Sequence, residues 1–204
     1  MIDVIRDFLP LLLRGFAVNL EIALGAMLIG LGVGLPLATV RDRVPKSSRI
    51  VLPCVRFMQA APTYVIMFFV LSVLPRDFTL FGLHASGFAA VTLSLSVYLA
   101  SYIAENFYRA LQHMHRGERA HALLFLPNLV RGFFVVVMSS GFGAAIGVSE
   151  AVGVTMHEAE RLHSAGERIV LFIIASALFV AVFRSANVLI RYLVRRLSAS
   201  AVPA

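Results

Sequence analysis

The run Ile169–Val194 reads IVLFIIASALFVAVFRSANVLIRYLV, with Arg184 and Arg191 as its only charges. At about 1.5 Å per residue it makes a helix about 39 Å long, enough to cross a hydrocarbon layer about 30 Å thick. Four earlier stretches read the same way: Phe16–Val40, Ile50–Leu74, Gly87–Phe107 and Leu123–Val148. Arg56 and Arg131 place the starts of the second and fourth somewhat later. Pro36, Pro62 and Pro127 lie within or beside spans, where neighbouring helices can satisfy the freed carbonyls. The expected fold is an all-α membrane bundle of about five transmembrane helices, forming a single domain over residues 1–204.

The whole composition agrees. Of 204 residues, 59% are hydrophobic and 14% charged, with a mean hydropathy of +0.87. A soluble domain carries about 25% charged residues, and a chain this short cannot hide so much apolar surface from water. Met1–Leu9 mixes Asp3, Arg6 and Asp7 into its apolar residues, so no cleavable signal peptide is expected there. The single cysteine, Cys54, has no internal disulfide partner.

The net charge of +7 sits beside spans. Arg41, Arg43, Lys46 and Arg49 follow the first span; Arg109, Arg116 and Arg119 follow the third; Arg191, Arg195 and Arg196 close the fifth. The intervening segments mix Arg6 and Arg14, Arg76, or Arg161 and Arg168 with acidic residues. The positive-inside rule then puts the N-terminus outside and the C-terminus in the cytoplasm. That use of the charge, and the lack of a basic-aromatic groove pattern, argue against nucleic acid.

Catalytic signatures are missing. There is no GxxxxGK[ST] phosphate cradle, HExxH or paired-cysteine motif. His113, His115 and His121 lie close together but have little carboxylate or thiolate company, so no metal is assigned. Ser139–Ser140 is read as helix-to-helix hydrogen bonding rather than as a nucleophile. Neither an enzyme nor a cofactor is expected. Gly30 and Gly34 form a GxxxG, read as close packing within the bundle rather than as a dimer contact.

Polar groups in spans are costly in lipid and point to function. Arg184 is the foremost, with Asn187 on the same helix face at i+3. A cation facing a cavity could hold a solute carboxylate; a buried pair with Glu21, Glu105 or Glu150 explains it equally well. Gln59 and Glu21 are further candidates for a pathway wall.

In order along the chain stand Gly15, Asn19-Leu20-Glu21, Gln59-Ala60-Ala61-Pro62, Leu74-Pro75, Tyr102-Ile103-Ala104-Glu105, Gly117-Glu118, Ala120-His121-Ala122 and Ile146-Gly147-Val148-Ser149-Glu150. This ordered set resembles the permease subunits of bacterial ABC importers for polar amino acids, the histidine/glutamine type. The matching family patterns are "G…TLE", "RGTP", "LP", "AYxAE", "GQ", "EAA" and "IGVxE". This chain departs from them at Asn19, Gln59, Tyr108, Ala120 and Met138, and its stretch from Gly117 to Ile146 is shorter than the family's.

The resemblance implies a type I ABC importer permease fold in a bacterial inner membrane. It also implies an ABC ATPase, a second permease subunit and a periplasmic solute-binding protein as partners. The subunit would form half of a pathway for a polar amino acid or similar carboxylate-bearing solute. Coupling to the ATPase would fall to Glu105, Arg109, Gly117, Glu118, Ala120 and Ala122. The short segment after Gly117 favours a heterodimer, and the loop around Met156–Arg168 would face the binding protein. A non-translocating permease partner and an oligomeric secondary carrier or channel are the competing expectations.

Overall fold

The structure is a computed structural model that describes residues 2–75, 79–80, 83–84 and 86–199. Among the described residues eight α-helices follow in order: α1 (Ile2–Arg43), α2 (Ser48–Ala60), α3 (Thr63–Val73), α4 (Ser86–His115), α5 (Arg119–Leu123), α6 (Phe125–Ser139), α7 (Ala151–Glu160) and α8 (Ala165–Ala199). A 3-10 stretch, Ser140–Ile146, continues α6. Thr79–Leu80 and Leu83–His84 form a two-residue antiparallel ladder between α3 and α4.

Among the described residues four segments are long and apolar enough to cross a membrane: Val4–Arg43, Gly87–His115, Arg119–Ile146 and Ala165–Leu197. They contain three of the five expected spans whole and the fourth, Leu123–Val148, as far as Ile146. The second expected span, Ile50–Leu74, departs from the expectation. It is broken into α2 and α3, which meet at 93°. The cause is local. Pro62 has no N–H and pushes the residue before it out of the helical region. Ala61 and Pro62 are both extended, at ψ 122 and 119. The pair can count as one bent span. At about 20 and 17 Å, neither half alone reaches across the hydrocarbon.

The core is built on α1 against α4. Ile22, Ala23 and Ala26 meet Val91, Leu95, Leu99 and Ile103, with Val136 and Val137 of α6 and Met67 of α3 closing the cluster. Gly30 and Gly34 permit the close crossing. A Cβ at Gly34 would stand 2.6 Å from the Ala100 carbonyl oxygen, and one at Gly30 2.8 Å from Leu99 Cβ. The GxxxG therefore serves packing inside one chain. A second cluster joins Phe8 and Leu12 of α1 to Ala151 of α7 and to Leu171 and Ala175 of α8. The apolar window of α4 is 72% buried and that of α8 only 17%, so α4 is central and α8 peripheral.

Candidate transport site and coupling segment

A polar lock sits where α1, the 3-10 stretch and α7 converge. Asn19 Nδ2 donates to Ser140 Oγ at 2.8 Å and to Glu150 Oε2 at 2.9 Å. Its Oδ1 accepts from the Ala151 amide at 3.0 Å. The Glu150 carboxylate also caps α7, accepting from the amides of Val152 and Gly153 at 3.0 and 2.8 Å. Asn19, Ser140 and Glu150 are each 0% exposed. A carboxylate in such a place must be fully hydrogen-bonded to be tolerated. Two glycines make room: Gly147, at φ 80, turns the chain after the 3-10 stretch, and Gly15 lets α7 approach α1, where a Cβ would stand 2.9 Å from the Ala151 nitrogen. The sequence offers Glu150 as a partner for Arg184 and as the end of a family motif, and does not pair it with Asn19 or Ser140. Polar side chains in different spans are the available signal; their meeting is not readable from it.

At the other end of α1, charged groups tie it to α4. Arg41 donates to Glu105 at 2.8 Å and stacks its guanidinium over the Tyr108 ring at 3.8 Å. Arg109 reaches the other Glu105 oxygen at 3.2 Å. Asp42 accepts from Gln112 at 2.9 Å and pairs with His115 at 3.0 Å. Glu105 and Arg109 are therefore brought together, and Arg41, Asp42 and Gln112 join a site that the sequence builds from α4 and the segment after it.

α4 ends in a glycine cap. The amides of Gly117 and Glu118 donate back to Met114 and His113, with Gly117 at φ 77 in the left-handed region that glycine alone adopts freely. The chain then enters α5, only five residues long, with Ala120 half-buried and Ala122 buried. His113 Nδ1 lies 2.6 Å from Glu118 Oε2 and its ring stacks on His121 at 5.4 Å. The hydrogen bond to His113, ahead of the nearby charges, holds the Glu118 carboxyl below the usual carboxylate range. α6 is pinned to α4 through Asn128, whose side chain donates to Asn106 at 3.1 Å and whose carbonyl accepts from the Tyr102 hydroxyl at 3.2 Å. The expected loop at Met156–Arg168 is largely helical, since α7 runs to Glu160.

The pathway candidates do not converge. Arg184 and Asn187 share a groove on α8. Glu21 and Gln59 are exposed on α1 and α2 and do not line it. Among the described residues no carboxylate pairs with Arg184: Glu105 is held by Arg41 and Arg109, and Glu150 by Asn19.

Residues 26–125 match the family described as "Binding-protein-dependent transport system inner membrane component". The match runs from within α1 to the first residue of α6 and includes α5. Two solved structures are similar in fold. One is titled a crystal structure of an amino acid ABC transporter with histidines. It has a TM-score of 0.77 and 18% identity, with 94% of this chain and 96% of that chain covered. The other is titled inward facing conformations of the MetNI methionine ABC transporter, with a TM-score of 0.64 and 17% identity, covering 90% of this chain and 96% of that one. No curated protein matches by sequence. The chain is a multi-pass membrane protein with the fold of type I ABC importer permeases.

Proposed function

We propose that this chain is one of two transmembrane subunits of an ATP-driven ABC importer in a bacterial inner membrane. The observation that carries the reading is the family match through the α4–α5 corner, joined to a whole-chain likeness to an amino acid transporter at TM-score 0.77. The subunit performs no covalent chemistry. ATP is hydrolysed by a separate ATPase pair, whose closure moves the bundle as a rigid body through α5 and the end of α4. Arg41–Glu105 transmits that movement to α1, because a short charge-assisted hydrogen bond resists shear better than apolar packing alone.

The solute is a polar amino acid or a similar small carboxylate-bearing molecule, delivered from a binding protein on the α7 side. Gln59, in the last turn before the 93° bend, and Glu21 would be the polar side chains of the pathway wall. The partner permease is a paralogue rather than a second copy. The five-residue α5 supports that choice, and also the second reading, in which this chain is a non-translocating partner and the paralogue does the coupling.

The test is affinity purification of the chain from its native host in mild detergent, with mass spectrometry of what accompanies it. An ATPase and a second permease are expected; recovery of the chain alone overturns the reading. Transport assays on the recovered complex with Gly117→Asp then separate the two readings. Lost transport identifies a coupling subunit, and unchanged transport the silent partner.

A further inference from the structure

α6 and α8 carry three arginines that the import mechanism does not use. Arg184 and Arg191, two turns apart on α8, line a groove of about 400 Å³ with Asn187 and Val188. A second groove of about 280 Å³ runs between α6 and α8 and includes Arg131, Phe134, Met138, Phe183, Ile190 and the same Asn187. All three arginines are exposed. Among the described residues none has a carboxylate within ion-pair distance. Neither α6 nor α8 beyond Glu167 contains an acidic residue that could supply one. Arg191 stands one turn before the basic cluster Arg195–Arg196, Arg184 in the middle of α8 and Arg131 in the middle of α6. Arg184 stands about 10 Å up the helix from Arg191, within reach of the headgroup region for a long side chain that extends along the helix.

We infer that the joined grooves form a binding site for one anionic phospholipid of the cytoplasmic leaflet, its phosphate on Arg184, Arg191 and Arg131 and an acyl chain along Phe134, Met138 and Phe183. Three exposed cations with no carboxylate partner among the described residues favour an anion. Basic pockets between transmembrane helices on the cytoplasmic side suit phospholipid headgroups. The apolar half decides among anions: a free phosphate or an amino acid has nothing to place between α6 and α8, whereas a phospholipid fills both halves. The inference stands apart from the import reading and assigns Arg184 and Asn187, expected on the solute pathway, to the lipid face.

The experiment is native mass spectrometry of the full-length chain in mild detergent, titrated with phosphatidylglycerol or with phosphatidylcholine of the same acyl chains. Phosphatidylglycerol is expected to bind and phosphatidylcholine not. Each cation near a membrane surface contributes roughly fivefold in affinity, so Arg184→Gln with Arg191→Gln should weaken binding roughly thirtyfold and Arg131→Gln alone roughly fivefold. Arg43→Gln, an exposed cation on α1, should change nothing. If the double variant misfolds, the Arg131→Gln titration decides. Equal binding of both lipids, or unweakened binding in the variants, overturns the site. Displacement by inorganic phosphate would make it a plain anion site, and displacement by glutamine or glutamate would return it to the solute pathway; either overturns the lipid assignment.

Discussion

The Asn19 amide donates to the Glu150 carboxylate at 2.9 Å across 131 positions of sequence, with both side chains sealed from solvent. This contact fastens the middle of α1 to the chain reversal after the fourth span. Removing Asn19 leaves a carboxylate, a hydroxyl and a backbone amide each short of one partner. Asn19→Ala should therefore cost about 2–4 kcal/mol, the lower part for unsatisfied neutral groups and the rest for the charge. Glu150→Gln keeps the volume and one acceptor and should cost less. Thermal unfolding in detergent measures both; an Asn19→Ala midpoint equal to that of wild type would show the network to be dispensable.

The two glycines of the α1 stripe that look alike in sequence should behave differently. A Cβ at Gly34 would collide with the Ala100 carbonyl oxygen at 2.6 Å, while one at Gly32 meets nothing within 4 Å. Gly34→Ala forces α1 and α4 apart and should lose about 1–3 kcal/mol. Gly32→Ala should be neutral or gain up to about 1 kcal/mol from helix propensity. Equal effects in the same unfolding assay would mean that the crossing of α1 on α4 is drawn in the wrong register.

How far the sequence carries the fold follows from the kind of signal each element gives. α1, α4, the α6 region and α8 are legible because an apolar run longer than the bilayer is thick has no other good solution. The bend at Ala61–Pro62 is not, because proline inside a span is compatible with both a kink and a break; only the packing of α3 on α4 chooses. The Asn19–Glu150 lock is invisible for a different reason. Each residue announces a costly polar group, but nothing in a one-dimensional pattern says which two will meet. Arg184 shows the converse: its isolation is readable as a demand for a partner, while the candidates for that partner, Glu105 and Glu150, are taken by nearer groups.

Acid should loosen the α4–α5 corner through Glu118. Its carboxyl is held below the ordinary value of 4.5, with the His113 hydrogen bond as the leading cause. A group whose folded pKa is depressed contributes in full above its unfolded value and loses that contribution as pH falls through the folded one. The gap in thermal midpoint between wild type and Glu118→Gln should therefore narrow as pH is lowered below the ordinary value of 4.5. A gap that survives at the acid end would show that the Glu118 charge is not what holds the turn.

Orientation can be tested directly. The basic segments predict that Arg43 faces the cytoplasm and Arg161 the opposite side. Both side chains are exposed. In a Cys54→Ser background, a membrane-impermeant maleimide added to intact cells should label Arg161→Cys at once and Arg43→Cys only after permeabilisation. The reverse pattern would place the N-terminus inside and move the proposed ATPase contact to the wrong face.

The Arg41–Glu105 tie should matter for coupling more than for folding. Arg41 retains its place over Tyr108 when Glu105 is lost, and Glu105 retains Arg109 when Arg41 is lost, so neither single change strips its partner of every contact. Each side chain is also partly open to water, at 12% and 25% exposure, which limits the penalty of an unpaired charge. Glu105→Ala and Arg41→Ala should thus lower stability by only about 1 kcal/mol each. Under the importer reading they should nevertheless uncouple solute-stimulated ATP hydrolysis in the reconstituted complex, because apolar packing alone would then carry α1 with α4. The paired exchange Arg41→Glu with Glu105→Arg separates a specific tie from local charge. It restores an opposite-charge pair between α1 and α4, though the exchange removes the cation from the Tyr108 ring and sets a second guanidinium beside Arg109. Partial recovery of stimulation over either single variant is expected. No recovery, with stability intact, would mean that Glu105 acts through Arg109 within α4 and that α1 is not part of the coupling route.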